Sequence, residues 1–281
     1  MKYQGIFRAD LFKDHNIVIT GGGSGIGRMT ALELASLGAH VCLIGRNEEK
    51  LKTVQKEIQD MKGKASYACA DIREREQIKN AIGTFVKEVG VLHGLVNNAG
   101  GQFFTPLENI SSNGFDAVVK TNLYGPFNCM QEVFHQSMNK NGGAIVTIIT
   151  NIDMGMPMLA HSGAARAGAE NLTKSAALEW GKYGIRVNAV SPGSIASSGL
   201  DKYPEEVQKM GIPALRDCVP LKRLGTEAEV AASIIDLLSP AANYVTGITL
   251  KMDGGAALVG WPWPLQAVGN QNQVGPFESF V

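Results

Sequence analysis

The chain has 281 residues, enough for one large hydrophobic core, and no shift in composition marks a second domain. Its 44% hydrophobic and 19% charged residues are ordinary for a globular protein, and 26 basic side chains balance 26 acidic ones. That balance excludes the charge footprint of a nucleic-acid or anionic-membrane binder, and no apolar run approaches the roughly 18 residues that span a bilayer. The segment Met1 to Phe12 lacks the layout of a signal peptide, and Ser279-Phe280-Val281 is not a peroxisomal address, so a cytoplasmic location is expected. Cys42, Cys69, Cys129 and Cys218 are widely spaced with no CxxC pair. They read as buried thiols in a reducing compartment.

In chain order, Asn16–Thr20, Val41–Gly45, Ala65–Ala70, Leu92–Asn97, Ala144–Ile149, Ile185–Val190 and Gly247–Met252 are short apolar runs, expected as buried strands. Between them, Ile26–Leu37, Glu48–Met61, Glu74–Val89, Gly114–Met138, Ala164–Lys182 and Glu227–Leu238 are expected as helices. The alternation predicts an α/β fold, a single Rossmann-type doubly wound parallel sheet of seven strands with helices on both faces. Ligands in such folds bind beyond the carboxyl ends of the strands, where strand order switches. Two stretches break the rhythm. Residues 194–225, with Pro204, Pro213 and Pro220, are expected as a substrate loop inserted in the domain. The tail, residues 256–281, carries Trp261-Pro262-Trp263-Pro264, expected in subunit packing or pocket lining.

The first strand runs into Thr20-Gly21-Gly22-Gly23-Ser24-Gly25-Ile26-Gly27 and then a helix. Backbone without Cβ atoms approaches a pyrophosphate closely, and the helix N-terminus supplies free N–H groups and a favourable dipole. The second strand ends in Leu43-Ile44-Gly45-Arg46, where an NAD enzyme places a carboxylate for the ribose hydroxyls. Arg46 instead fits the 2′-phosphate of NADP(H) through a forked, charged hydrogen bond.

The TGxxxGxG spacing resembles the short-chain dehydrogenase/reductase family. Asp71, Asn97-Asn98-Ala99-Gly100, Asn122-Leu123-Tyr124-Gly125, Ser191-Pro192-Gly193 and Asp253-Gly254-Gly255 follow in the family's order, from about Lys13 to Ala257. The resemblance implies a nicotinamide cofactor held by Gly21, Ser24, Gly25, Ile26 and Gly27. It places Asp71 and Ile72 beside the adenine, and Asn98, Ala99 and Gly100 against its ribose. Pro192, Gly193, Ile195 and Ser197 would lie toward the nicotinamide.

The family's Tyr-x-x-x-Lys reads Ser162-Gly163-Ala164-Ala165-Arg166 here, and none of the six tyrosines is followed by lysine at the fourth position. In the family the phenol protonates a nascent alkoxide and the lysine lowers its pKa. An arginine bonds a ribose but cannot shuttle protons. Losing a positioned acid costs about 10²–10⁴ in rate, roughly 3–5 kcal/mol. Reduction of a C=C bond conjugated to a thioester makes an enolate, which needs hydrogen-bond donors rather than a tuned phenol.

The run His161 to Gly168, followed by Asn171-Leu172-Thr173-Lys174, resembles the peroxisomal trans-2-enoyl-CoA reductase branch, with the 2,4-dienoyl-CoA reductases nearby. That resemblance carries Asn122, Ser162 and Arg166 as catalytic candidates. Tyr124 and Ser162, then His161, are the candidate proton donors. Ser162 also reads as a helix N-cap, Tyr124 as core, His161 as a loop residue, and Glu170 as a partner for Arg166. Three readings stand open: an NADPH-dependent enoyl-thioester reductase, an NADP-linked alcohol or carbonyl dehydrogenase, and a non-catalytic NADP-binding regulator. Acyl-CoA is the expected partner, with Lys202, Lys209, Arg216, Lys222 and Arg223 as candidates for its phosphates. No metal site is expected, and the small residues Ala164, Ala165, Gly168 and Ala169 suit close packing in a dimer or tetramer.

Overall fold

A computed structural model describes residues 6–197 and 212–258. The first strands and helices alternate as β1 (Asn16–Thr20), α1 (Gly25–Ser36), β2 (His40–Gly45), α2 (Glu48–Asp60), β3 (Lys64–Cys69), α3 (Arg75–Val89) and β4 (Gly94–Asn97). Then come α4 (Ser112–Val119), α5 (Gly125–Val133), the short α6 (Asn139–Asn141), β5 (Gly143–Ile148) and α7 (Ala160–Trp180). The chain continues through β6 (Ile185–Pro192), β7 (Ile195–Ala196), α8 (Ile212–Cys218), β8 (Gly225–Thr226), α9 (Glu227–Leu238) and β9 (Thr249–Met252).

Seven strands form one all-parallel sheet in the order β3-β2-β1-β4-β5-β6-β9, as expected. The order reverses between β1 and β4, and their carboxyl ends open the crevice. Successive residues of β1 feed opposite layers: Ile17 and Ile19 join the core with Leu34, Val54 and Ile234, while Val18 joins Ile78, Phe85 and Val133. Burial on both faces explains why these strands read as unbroken apolar runs. The two-residue β7 and β8 pair separately at the sheet's carboxyl edge, beside α9. Helix α9 starts in a capping box, the Glu229 amide bonding Thr226 Oγ1 at 3.2 Å while Glu229 Oε2 accepts from the Thr226 amide at 2.9 Å.

Three expectations change. The helix read as Gly114–Met138 contains π-helical turns at Lys120–Tyr124 and Phe134–Met138. Cys42 and Cys129 are buried, with thiols pushed up to about 12 by desolvation, but Cys69 and Cys218 are exposed. Helix α7 begins at Ala160, not Ala164, so Ser162 lies inside its first turn and Leu159 is the N-cap. Residues 198–211 of the inserted loop, including Lys202, Pro204 and Lys209, and residues 259–281 of the tail lie outside the described residues. No helix among the described residues is long and apolar enough to cross a membrane.

Two histidines at the sheet's amino edge make stability pH-dependent. His40 Nε2 bonds Ser66 Oγ at 2.9 Å, and His93 Nδ1 accepts the Asn16 amide at 3.1 Å. Desolvation lowers both imidazole pKa values below 6.5, with the His15 ring adding to it at His93. The unfolded chain therefore binds more protons below about pH 6.5, and folding stability falls as the pH drops through that value. Thermal unfolding midpoints should decline between about pH 7 and about pH 5, less steeply in His93→Asn, which keeps an acceptor but cannot be protonated. An unchanged slope in that variant would exclude His93 as a contributor.

Candidate active site

The crevice is a cavity of about 450 Å³ lined by Gly21, Ser24, Gly25 and Ile26 on one side and Asn98, Ala99 and Gly100 on the other. Gly21 and Gly25 have φ of +67° and +60°, a backbone that L side chains rarely adopt. Helix α1 opens into this cavity with no side-chain cap from Ser24 and no acidic residue in its first turn. Its first N–H groups are thus left for an anion. Gly27 serves packing instead, since a Cβ there would collide with the Gly21 carbonyl and the Asn98 amide. Asn98 ties the two rims together, donating to the carbonyls of Thr20 at 3.0 Å and Gly21 at 3.3 Å.

At the far end of the cavity lie Arg46, Lys50, Asp71, Ile72 and Arg73. Arg73 grips Asp71 through contacts of 3.0, 3.0 and 2.5 Å, and this hydrogen-bonded guanidinium holds the carboxyl below its usual range. Arg46 stands 4.0 Å from the same carboxylate with 72% of its side chain exposed. Arg73 escaped the sequence reading because its role depends on a turn after β3, not on any motif. Its nearest legible signal is its place two residues beyond Asp71.

Past Asn98 and Ala99, two candidates converge on one glycine. A Cβ at Gly100 would stand 2.6 Å from Arg166 Nη2 and 2.8 Å from Asn122 Oδ1, so a side chain here would push one or both of them out of place. Asn122 clamps the next residue: its Oδ1 accepts the Gly101 amide at 3.2 Å and its Nδ2 donates to the Gly101 carbonyl at 2.7 Å. Arg166 Nη1 donates to the Ile148 carbonyl, while Nε is buried without a partner. Burial lowers its pKa to about 10, which still leaves it charged at neutral pH.

Ser162 is fully buried and its Oγ donates to Gln102 Oε1 at 2.6 Å. Gln102 was not singled out by sequence; its partner is 60 residues away on another element. His161 is in the first turn of α7 rather than in a loop. It is fully buried, its Nδ1 accepting the Ser162 amide at 2.8 Å and its ring edge-on to Phe103 at 4.4 Å.

Several residues lie elsewhere. Tyr124 is 56% exposed and borders a surface cavity with Arg73, Phe115 and Lys120, so it is neither core nor beside Ser162. It stands two residues from Asn122, which turns it to the opposite side of the helical turn from that inward-facing amide. Glu170 bonds Lys174 at 3.0 Å and Thr249 at 3.0 Å, not Arg166. Ser197 borders the cofactor cavity, whereas Ile195 lines a neighbouring one of about 500 Å³. Pro192 pairs with Met252 and Gly193 donates to its carbonyl at 3.0 Å, fixing the strand end rather than lining the cavity. Among the proposed CoA cations, Arg223 is held by Glu229 at 2.6 Å, Arg216 by Asp217 at 2.9 Å, and Lys222 by the Asp217 carbonyl at 2.6 Å.

A glycine-rich strand-to-helix turn at the switch point, with a buried cation beside it, defines a dinucleotide-binding oxidoreductase. Residues 21–257 match a family model described as enoyl-(acyl carrier protein) reductase, and the chain belongs to the short-chain dehydrogenase/reductase family, whose members bind NAD(P)(H). It is 40% identical to a probable 2,4-dienoyl-CoA reductase of Bacillus subtilis, over 88% of this chain and 98% of that protein. It is 34% identical to the mouse peroxisomal 2,4-dienoyl-CoA reductase, over 91% of this chain and 88% of the relative. Among solved structures, a citronellol catabolism dehydrogenase of Pseudomonas aeruginosa superposes with a TM-score of 0.81 at 50% identity, covering 91% of this chain and all of that one.

Proposed function

We propose that the protein is an NADPH-dependent reductase of the C=C bond in 2-enoyl thioesters of the acyl-CoA type. The observation that carries this reading is the pair Ser162 and Arg166 in place of a phenol and an amine, with the serine proton already bonded to Gln102. Among the described tyrosines, Tyr67 donates to Glu48, Tyr183 packs on Phe134, and Tyr124 and Tyr244 are exposed; none holds a lysine ammonium in a hydrogen bond. The dienoyl-CoA reductases among the relatives support conjugated thioesters as substrates.

NADPH, when bound, would supply a hydride and so become NADP⁺. The substrate accepts it at Cβ, the C=C electron pair moves onto the thioester oxygen as an enolate, and Cα then takes a proton from solvent. Arg46, beside Asp71 and Arg73, is the residue for the 2′-phosphate. The uncapped N-terminus of α1 would take the pyrophosphate, and Arg166 would hold the nicotinamide ribose through the N–H that now lacks a partner. Asn122 keeps Gly100 and Gly101 in place against the ring end. The exposed Leu178 and the small residues of α7 support a homo-oligomer built on that helix.

The 50% identity to a citronellol catabolism dehydrogenase favours a second reading, oxidation of an NADP-linked aliphatic alcohol. Steady-state rates with NADPH and enoyl-CoA esters, set against ketones and against alcohols with NADP⁺, separate the two. Enoyl esters should exceed the others by about 10²-fold in kcat/KM, the rate a missing acid forfeits. Equal or better turnover of alcohols would replace the first reading by the second.

A further inference from the structure

We propose that Asn128 is a positioning residue for the coenzyme, holding Ile72 from helix α5 as a wall of the adenine end of the cavity. This rests on the reading of the crevice as the NADPH site and names what fixes that wall.

Three consecutive residues after β3, Asp71, Ile72 and Arg73, line that end of the cavity. They lie in a turn, and the sheet's own hydrogen bonding stops one residue short of them, at the bond from the Ala70 amide to the Gly45 carbonyl (2.9 Å). Side chains take over from there. Gln77 Oε1 accepts the Asp71 amide at 2.8 Å, Arg73 holds the Asp71 carboxylate, and Asn128 Nδ2 donates to the Ile72 carbonyl at 3.0 Å. Of these three contacts, the first two come from the turn itself and from α3, which follows it directly. Asn128 lies 56 residues further along the chain and ties the turn to the body of the protein.

Helix α5 holds Ile72 at two points. Gly125 and Asn128 stand three residues apart, on one face of the helix. A Cβ at Gly125 would lie 2.3 Å from Ile72 Cδ1 and 2.7 Å from its Cγ1, so the Ile72 side chain packs directly on the helix backbone. That packing delivers the Ile72 carbonyl to the Asn128 amide, and both residues are buried. A buried carbonyl that loses its donor carries a desolvation penalty. The turn relieves it by moving outward, which takes Ile72 and Asp71 away from the adenine. Asn128 does not line the cavity, so it acts on the coenzyme only through Ile72.

Two variants test this. Asn128→Leu removes the donor at similar size, and Asn128→Asp keeps the shape with a carboxylate that cannot donate. The Kd for NADPH, read by fluorescence titration well below the melting temperature, should rise about tenfold in both, the scale of one lost hydrogen bond. With whichever substrate the wild type turns over, KM for NADPH should rise by about the same factor while kcat at saturating coenzyme stays within about twofold, because the adenosine does not react. In Asn128→Asp the affinity should recover, relative to wild type at the same pH, as acid protonates the new carboxyl and restores a donor. Burial beside the Glu132 carboxylate, one turn away and paired with Arg75, favours that protonation. A role confined to the fold would lower the melting temperature of both variants and leave the Kd and its pH profile at wild-type values; that result overturns the proposal. A fall in kcat at saturating coenzyme equal to the fall in kcat/KM also overturns it. Wild-type protein that binds neither NADPH nor NADH would instead refute the coenzyme reading, which the same titration reports separately.

Discussion

Arg166→Met is expected to make the cofactor-free protein more heat-stable while weakening NADPH binding by at least about 10²-fold. The Arg166 guanidinium is enclosed although the residue is only half-buried, its Nε has no hydrogen-bond partner, and burial pulls its pKa down to about 10. A charge held in the interior without full pairing costs free energy, and apolar replacements of similar size at buried ionic sites have gained about 1–4 kcal/mol. With a shift of about 2–4 °C per kcal/mol in a chain near this size, a rise of several degrees is expected in a melting scan. The stabilisation that NADPH confers on the wild type should largely vanish in the variant, because affinity and ligand-induced stability are linked. A variant that melts lower than wild type yet keeps its ligand-induced shift would show that the guanidinium serves the fold and not the cofactor.

The second large effect is a change in coenzyme preference. Arg46→Glu should raise the Kd for NADPH about 10²-fold and change that for NADH by no more than about threefold. A charged hydrogen bond is worth about 1.5–3 kcal/mol, and the new carboxylate adds repulsion toward a 2′-phosphate. Arg73 does not rescue the variant, since its guanidinium is already shared with both oxygens of Asp71. Arg46 has the freer side chain, 72% exposed at the rim, and a 4.0 Å contact with that carboxylate is a weak tether to break. Equal weakening of both coenzymes would mean that Arg46 does not read the 2′ position.

What was legible in the sequence follows from how far apart the determining residues lie. The central strands β1, β2, β4, β5 and β6 announce themselves because they are buried on both faces, so local apolar density is sufficient, whereas the edge strands β3 and β9 are only partly buried. The glycines at 21 and 25 are legible for the same reason: one backbone requirement is written at one position. The π-turn at Lys120–Tyr124 leaves no such mark, and it settles that Asn122 turns inward while Tyr124 does not. Ser162 looked like a cap because helix propensity places the start of α7 late. The helix begins earlier because His161 Nδ1 satisfies the Ser162 amide from within the turn. The contacts of Gln102 with Ser162 and of Arg73 with Asp71 come from loops closed by the tertiary fold, and periodicity is blind to both.

The account's central claim is that hydride reaches a carbon conjugated to a thioester without a phenolic acid. Turnover of an enoyl-CoA with NADPH deuterated at its transferable position, followed by mass spectrometry and NMR of the product, tests it most directly. The prediction is deuterium at Cβ and a solvent-derived hydrogen at Cα of a saturated acyl-CoA. Intact enoyl ester beside a ketone reduced with deuterium on its carbinol carbon would contradict it.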